Sequence, residues 1–246
     1  MTKFIPKKDE PVYDHQTLKH SKSIQIDEPQ VLTNQELGIM TKGLKRKLQN
    51  KDFNSETMND DLFDLVFSPE VRNHSKIHWT PLKVAIKAAE ILRDLKIERL
   101  LDVGSGCGKF CLLTSMLTDV EVTGVEQRDF LAASAKKAKN LFQLSNLNLI
   151  HGSAFDLSWK EFDCIYFYNP FCEQKTPERR MRNDLNMNES IYNSYLQITL
   201  NRLREQKAGT RVITYYGLGA ALPDEYDLKY QKAVGSDFLK VWEKKA

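Results

Sequence analysis

The sequence predicts an α/β protein: a doubly wound, mainly parallel seven-stranded sheet with a terminal antiparallel hairpin, preceded by a helical N-terminal extension. Three observations carry that expectation. From residue 80 onward, short apolar runs alternate with amphipathic helical stretches. A glycine-rich turn, Gly104-Ser105-Gly106-Cys107-Gly108, joins the first of those runs to a helix. Near the end, YDLKYQKAV and FLKVWEK flank Gly235-Ser236, as two antiparallel strands on a tight turn would.

Residues 1 to about 30 are polar and irregular, with Pro6, Pro11 and Pro29, and read as a loosely docked arm. From Thr33 to about Lys51, Leu37, Met40, Leu44 and Leu48 recur at helical spacing, and Thr33 with Glu36 forms a capping-box signature. The opposite face carries Lys42, Lys45, Arg46, Lys47 and Lys51. A second short helix is expected through Leu62, Phe63, Leu65, Val66 and Phe67, ending before Pro69. Thr80-Pro81 reads as a helix start, with Thr as N-cap and Pro at the first helical position, for a helix over 82–95. Strands are expected at 99–103, 120–125, 147–151, 163–168 and 211–216, with helices near 110–118, 128–144 and 189–206. This organisation places an arm and helical extension at 1–79 and an α/β domain at 80–246.

A chain of 246 residues with 41% hydrophobic and 28% charged side chains is long and apolar enough to bury a sizeable core. It contains no run of roughly 18 apolar residues, which excludes a membrane-spanning helix. The first residues lack the apolar segment of a secretory signal, and the four cysteines form no Cys-x-x-Cys pair. A reducing cytoplasm is the expected compartment. The net charge of +3 is too small for a dedicated nucleic-acid binder, although a local patch could still meet an RNA or DNA substrate.

The most informative stretch is Leu100-Leu101-Asp102-Val103, the three alternating glycines 104, 106 and 108, and Lys109-Phe110. A dinucleotide fingerprint would place its third glycine at position 109, where Lys stands. The acid followed by Gly-x-Gly-x-Gly resembles instead the class I S-adenosylmethionine (SAM) dependent methyltransferases, over about residues 78–246. That resemblance implies that Asp102, Gly104, Ser105, Gly106 and Gly108 hold the methionine part of SAM. Glu126, with Gln127 beside it, stands at the end of the second strand, where the family's ribose-binding acid lies. A carboxylate offers two acceptor oxygens to a vicinal diol. The family's adenine loop corresponds to His151-Gly152-Ser153-Ala154-Phe155-Asp156, which lacks the usual acid at its usual place, so Ala154 and Phe155 are the candidate base contacts. Thr80 is a further cofactor candidate near the SAM carboxylate, with His78 and Trp79 as candidates for the substrate mouth.

Amino-directed members of the family carry [Asp/Asn]-Pro-Pro-[Tyr/Phe] after the fourth strand. The corresponding residues are Asn169, Pro170 and Phe171, with one proline instead of two. The resemblance implies that Asn169 accepts the hydrogens of an acceptor amine and that Phe171 packs on the acceptor. The sulfonium already activates the methyl group, so no metal is called for. The acceptor is left open among protein, small molecule and nucleic acid. The shortened motif keeps alive a SAM-binding regulatory protein without catalysis, and Lys109 weighs against a nicotinamide dehydrogenase. Cys107, Cys111 and Cys164 read as buried thiols, and Cys172 as the one candidate reactive cysteine. Lys175, Arg179, Arg180 and Arg182 read as a solvated loop.

Overall fold

The structure is a computed structural model that describes residues 31–50, 58–171, 173, 181 and 188–246. Thr33 opens helix α1 (Asn34–Gln49) with the expected capping box: its side chain accepts from Glu36 N, while Glu36 accepts from Thr33 N at 2.8 Å. Three short helices follow, α2 (Asp60–Asp64), α3 (Pro69–Arg72) and α4 (Ser75–His78), and then α5 (Leu82–Asp94). The single helix expected through residues 62–67 is therefore shorter. It ends at Asp64, and Pro69 starts the next helix instead of following a longer one.

The strands are β1 (Arg99–Val103), β2 (Glu121–Glu126), β3 (Leu147–His151), β4 (Cys164–Tyr168), β5 (Arg211–Tyr215), β6 (Tyr226–Val234) and β7 (Asp237–Lys244). Between them run α6 (Lys109–Leu117), α7 (Asp129–Phe142) and α8 (Glu189–Arg204). The sheet order is β3-β2-β1-β4-β5-β7-β6, with the first five strands parallel and β7 antiparallel to both neighbours. The doubly wound sheet and its terminal hairpin are as the sequence predicts. A register shift between Leu228 and Tyr230 bends the edge strand β6, one way of blunting an exposed edge.

Alternate side chains of the central strands enter two cores, one on each face of the sheet. Leu100, Cys164, Tyr166, Ile213 and Tyr215 join α5, α6 and α7, while Leu101, Val103, Ile165, Phe167 and Val212 join α8, Trp159 and Phe162. Burial on both faces explains why these strands read as continuous apolar runs rather than as alternation. Leu44, Leu48, Phe63, Val66, Phe67 and Trp79 lie in the first of those cores, and Phe63 stacks on Phe142 at 5.8 Å. Residues 31–246 form one compact unit, so the boundary drawn from the sequence between 79 and 80 falls inside it. The expected arm over 1–30 and Lys51 lie outside the described residues.

Thr80 does not cap α5. Pro81 occupies the N-cap position, and the Thr80 hydroxyl lies 2.9 Å from that of Tyr166 instead. The Leu82 N–H, first in the helix, is taken by Asp60 Oδ1 at 2.7 Å. A carboxylate from a neighbouring helix thus supplies the cap that the local sequence does not. No helix among the described residues is long and apolar enough to cross a membrane.

Candidate functional site

In open α/β sheets ligands gather outside the carboxyl ends of the strands, where the strand order reverses. Here that position lies over β1, between β2 and β4. The chain leaves β1 through Gly104, Gly106 and Gly108, with φ of +75°, +57° and +79°, and enters α6 at Lys109. Those left-handed conformations are open to glycine at no steric cost. Gly104 N and Ser105 N both donate to Val125 O, and Gly108 N donates to Ser105 O, so the loop is pinned to the end of β2.

The three glycines differ in what surrounds them. A Cβ on Gly108 would lie 3.0 Å from Ala135 Cβ, so this glycine serves the packing of α6 on α7. A Cβ on Gly104 would lie 3.5 Å from Pro170 Cβ, which brings the β4 turn against the loop. A Cβ on Gly106 would meet nothing within 4 Å. Its space is open.

Glu126 faces that space. Its Oε2 accepts from Gly106 N at 2.9 Å and its Oε1 from Arg128 N at 2.8 Å. Burial raises its pKa, opposed by these two backbone donors. A carboxylate has about four acceptor positions, so two N–H groups leave capacity for a diol. Gln127 follows, and its carbonyl oxygen accepts from His151 Nε2 at 3.0 Å. Asp102 lies behind the loop and is 3% exposed. It accepts from Cys111 Sγ at 3.0 Å, and burial pushes its pKa up to about 7. Gly124, opposite Asp102 on β2, has no room for a side chain, since a Cβ there would meet Cys111 Sγ and Ser105 Oγ.

After β3, Ser153 caps a short 3-10 turn over Ala154–Asp156, and Trp159 Nε1 donates to Ala154 O at 2.8 Å. Phe155 sits in an aromatic cluster, its ring centroid 6.1 Å from Trp159, 6.3 Å from Phe171 and 5.2 Å from Tyr195. After β4, Asn169 adopts φ +39°, a conformation Asn tolerates better than most residues. Phe171 is 5% exposed and packs into the same cluster, so it buttresses Phe155. Thr80 is buried against Tyr166, whose ring stacks on Phe110 at 3.6 Å. Trp79 is buried edge-on to Phe67.

Five charged residues that the sequence did not single out as site residues complete the surroundings. Lys109 Nζ is 2.6 Å from Asp60 Oδ1 and 2.6 Å from Asp64 Oδ1. Arg128 makes a bidentate pair with Glu173. Arg128 stands two residues after Glu126, which is the only sequence signal it gave; Asp60 and Asp64 gave none. Cys107, Cys111 and Cys164 are buried, and burial pushes all three thiols up. Cys172, Lys175, Arg179, Arg180 and Arg182 lie outside the described residues.

No protein-family model matches the chain, and no curated protein does. Solved structures match in number. A provisionally assigned O-methyltransferase from Klebsiella pneumoniae is 15% identical, with a TM-score of 0.51 over 82% of this chain and 100% of that one. TrmN from Thermus thermophilus is 20% identical, with a TM-score of 0.50 over 71% of this chain and 52% of that one. A methyltransferase from Geobacter sulfurreducens is 10% identical, with a TM-score of 0.50 over 73% and 89%. At such identities the likeness speaks for the fold alone, which this chain shares with these three solved methyltransferase structures.

Proposed function

We propose that this protein transfers a methyl group from SAM to an amine nitrogen of a protein, nucleic-acid or small-molecule acceptor. The observation that carries the reading is the open space at Gly106 beside the Glu126 carboxylate, at the switch point of the sheet. A half-buried acid with acceptor capacity to spare and a glycine whose Cβ direction is open fit a ligand that brings a diol and lies close to the backbone.

SAM, when bound, supplies a methyl carbon already activated by a sulfonium. Gly104, Ser105, Gly106 and Gly108 would let it approach the main chain, with Asp102 supporting the loop from behind. Glu126 would accept from the ribose hydroxyls, with Gln127 beside it. Ala154 and Phe155 would wall the base, and Thr80 would act through Tyr166. On the acceptor side, the Asn169 amide oxygen would accept the amine hydrogens, so that the nitrogen keeps its lone pair aimed along the transfer line. Pro170 holds that turn against Gly104. Phe171 serves from inside the aromatic cluster, which supports Phe155, in place of the exposed contact its motif implies.

The test has two parts. Calorimetry with S-adenosylhomocysteine should show binding that Glu126→Ala weakens at least about tenfold, since the variant also strands two N–H groups. Methyl-labelled SAM incubated with cell extract, followed by protease or nuclease digestion, then identifies the acceptor class by which treatment releases the label. Tight NADH binding with none to S-adenosylhomocysteine sinks the reading. Binding with no label in any fraction would favour the regulatory alternative.

A further inference from the structure

The two halves of the candidate site lie on different strands, Glu126 after β2 and Asn169 after β4, with β1 between them. A chain of short hydrogen bonds joins them. Glu126 Oε1 accepts from Arg128 N at 2.8 Å. From the same residue, Nη1 and Nη2 donate to Glu173 Oε1 and Oε2 at 2.7 and 2.9 Å. Glu173 Oε2 also accepts from Met181 N at 2.9 Å. Glu173 stands four residues after Asn169, and Arg128 immediately precedes α7, a rigid base for its side chain.

Arg128 is 4% exposed and Glu173 is 9% exposed. A two-pronged pair in that setting fixes orientation as well as distance, because both partners are planar and desolvated. Buried pairs of this kind contribute little net stability compared with apolar packing, and what they do supply is fixed geometry. Nothing in the glycine loop or the aromatic cluster requires a charge at either position.

On the methyltransferase reading above, we propose that Arg128 and Glu173 are positioning residues that transmit occupancy at Glu126 to the acceptor-side turn. A diol donated to Glu126 fixes the carboxylate that holds Arg128 N. The guanidinium, on the same short backbone segment, then holds Glu173 and with it the end of the Asn169–Phe171 turn. Filling the cofactor side thereby orders the acceptor side.

The experiment is amide hydrogen exchange on the full chain, with and without S-adenosylhomocysteine, alongside calorimetry. In the wild type the ligand should slow exchange at Gly106 and also at Phe171 and Glu173, by about fivefold or more. The double variant Arg128→Met/Glu173→Leu removes both charges together at the cost of the Met181 N acceptor, and a cooperative thermal transition is required of it before exchange is read. It should bind the ligand and protect Gly106 but lose the protection at Phe171 and residue 173. Arg128→Lys, which keeps the charge and loses the fork, should fall between the two. Protection in the double variant equal to that of the wild type overturns the proposal. Wild-type binding that leaves Phe171 and Glu173 unprotected overturns it too, with the cofactor reading intact. Absence of binding in the wild type removes both.

Discussion

Lys109 and Asp60 meet at 2.6 Å, and the same Asp60 oxygen takes the first N–H of α5 at 2.7 Å. Asp64 closes on the ammonium from the other side, and the rings of Phe63 and Trp79 each lie 5.9 Å from it. Lys109 is 3% exposed although it is the first residue of α6, directly after the glycine loop. The extension is thereby keyed to the loop through one buried charge.

Lys109→Met should be strongly destabilising, by about 3–5 kcal/mol, because it leaves Asp64 buried without its counter-ion. Burial already raises the Asp64 pKa, so the cost to the variant should be smaller at pH 5 than at pH 8, because acid favours the neutral carboxyl. Adding Asp64→Leu should restore most of the loss. Urea denaturation of the two variants at both pH values checks this, and a Lys109→Met cost below about 1 kcal/mol would mean that the pair is slack.

Gly106→Val should separate ligand binding from folding. Its backbone lies at φ +57°, so a side chain costs about 1–2 kcal/mol or more, but the added Cβ meets no neighbour in the free protein. S-adenosylhomocysteine binding should fall at least about tenfold while a cooperative thermal transition persists. Gly108→Val should instead lower the melting temperature further, since its side chain runs into Ala135. Equal melting temperatures for the two variants contradict the division of roles drawn above.

Asp102 makes stability depend on pH in a definite direction. Its folded pKa is about 7 against an ordinary 3.8, so the native state holds the proton more tightly than the unfolded chain. The stability this provides is complete below the lower value and is lost as pH rises to the higher one. Measured against Asp102→Asn, which cannot ionise, the wild type should lose a few kcal/mol across that window. Asp64, whose pKa burial also raises, titrates in both proteins and cancels in the difference, whereas the Glu126 charge helps to raise the Asp102 pKa and belongs to the effect measured. Parallel stability curves would place the Asp102 charge in a better-solvated setting than its burial indicates.

Asn169 allows its side chain and its backbone to be tested apart. Asn169→Gly keeps the left-handed φ at no steric cost and removes the amide. Once an acceptor is in hand, turnover should drop about ten- to hundredfold, the worth of one or two hydrogen bonds, with S-adenosylhomocysteine affinity unchanged. Equal loss of both would make the turn purely structural.

Much of the architecture was legible because it is written in local pattern. Strand positions followed from apolar runs bounded by turn residues, the α1 cap from Thr33 and Glu36, and the hairpin from Gly235-Ser236. The glycine loop was legible for a related reason: its φ values narrow the residue choice at Gly104, Gly106 and Gly108. Thr80 misled because a Thr-Pro pair satisfies the local rule for a helix start, while the hydroxyl found Tyr166, 86 residues away in sequence.

The sequence by itself determined the fold class, the glycine loop and the acid at the end of β2, since each depends on periodicity or on a backbone conformation that few residues adopt. Only the tertiary structure decided that Asp60 caps α5, that Lys109 is buried between two carboxylates, and that Arg128 reaches Glu173. Charged side chains are long and pair at any sequence separation, and no local spacing records which partner burial will select.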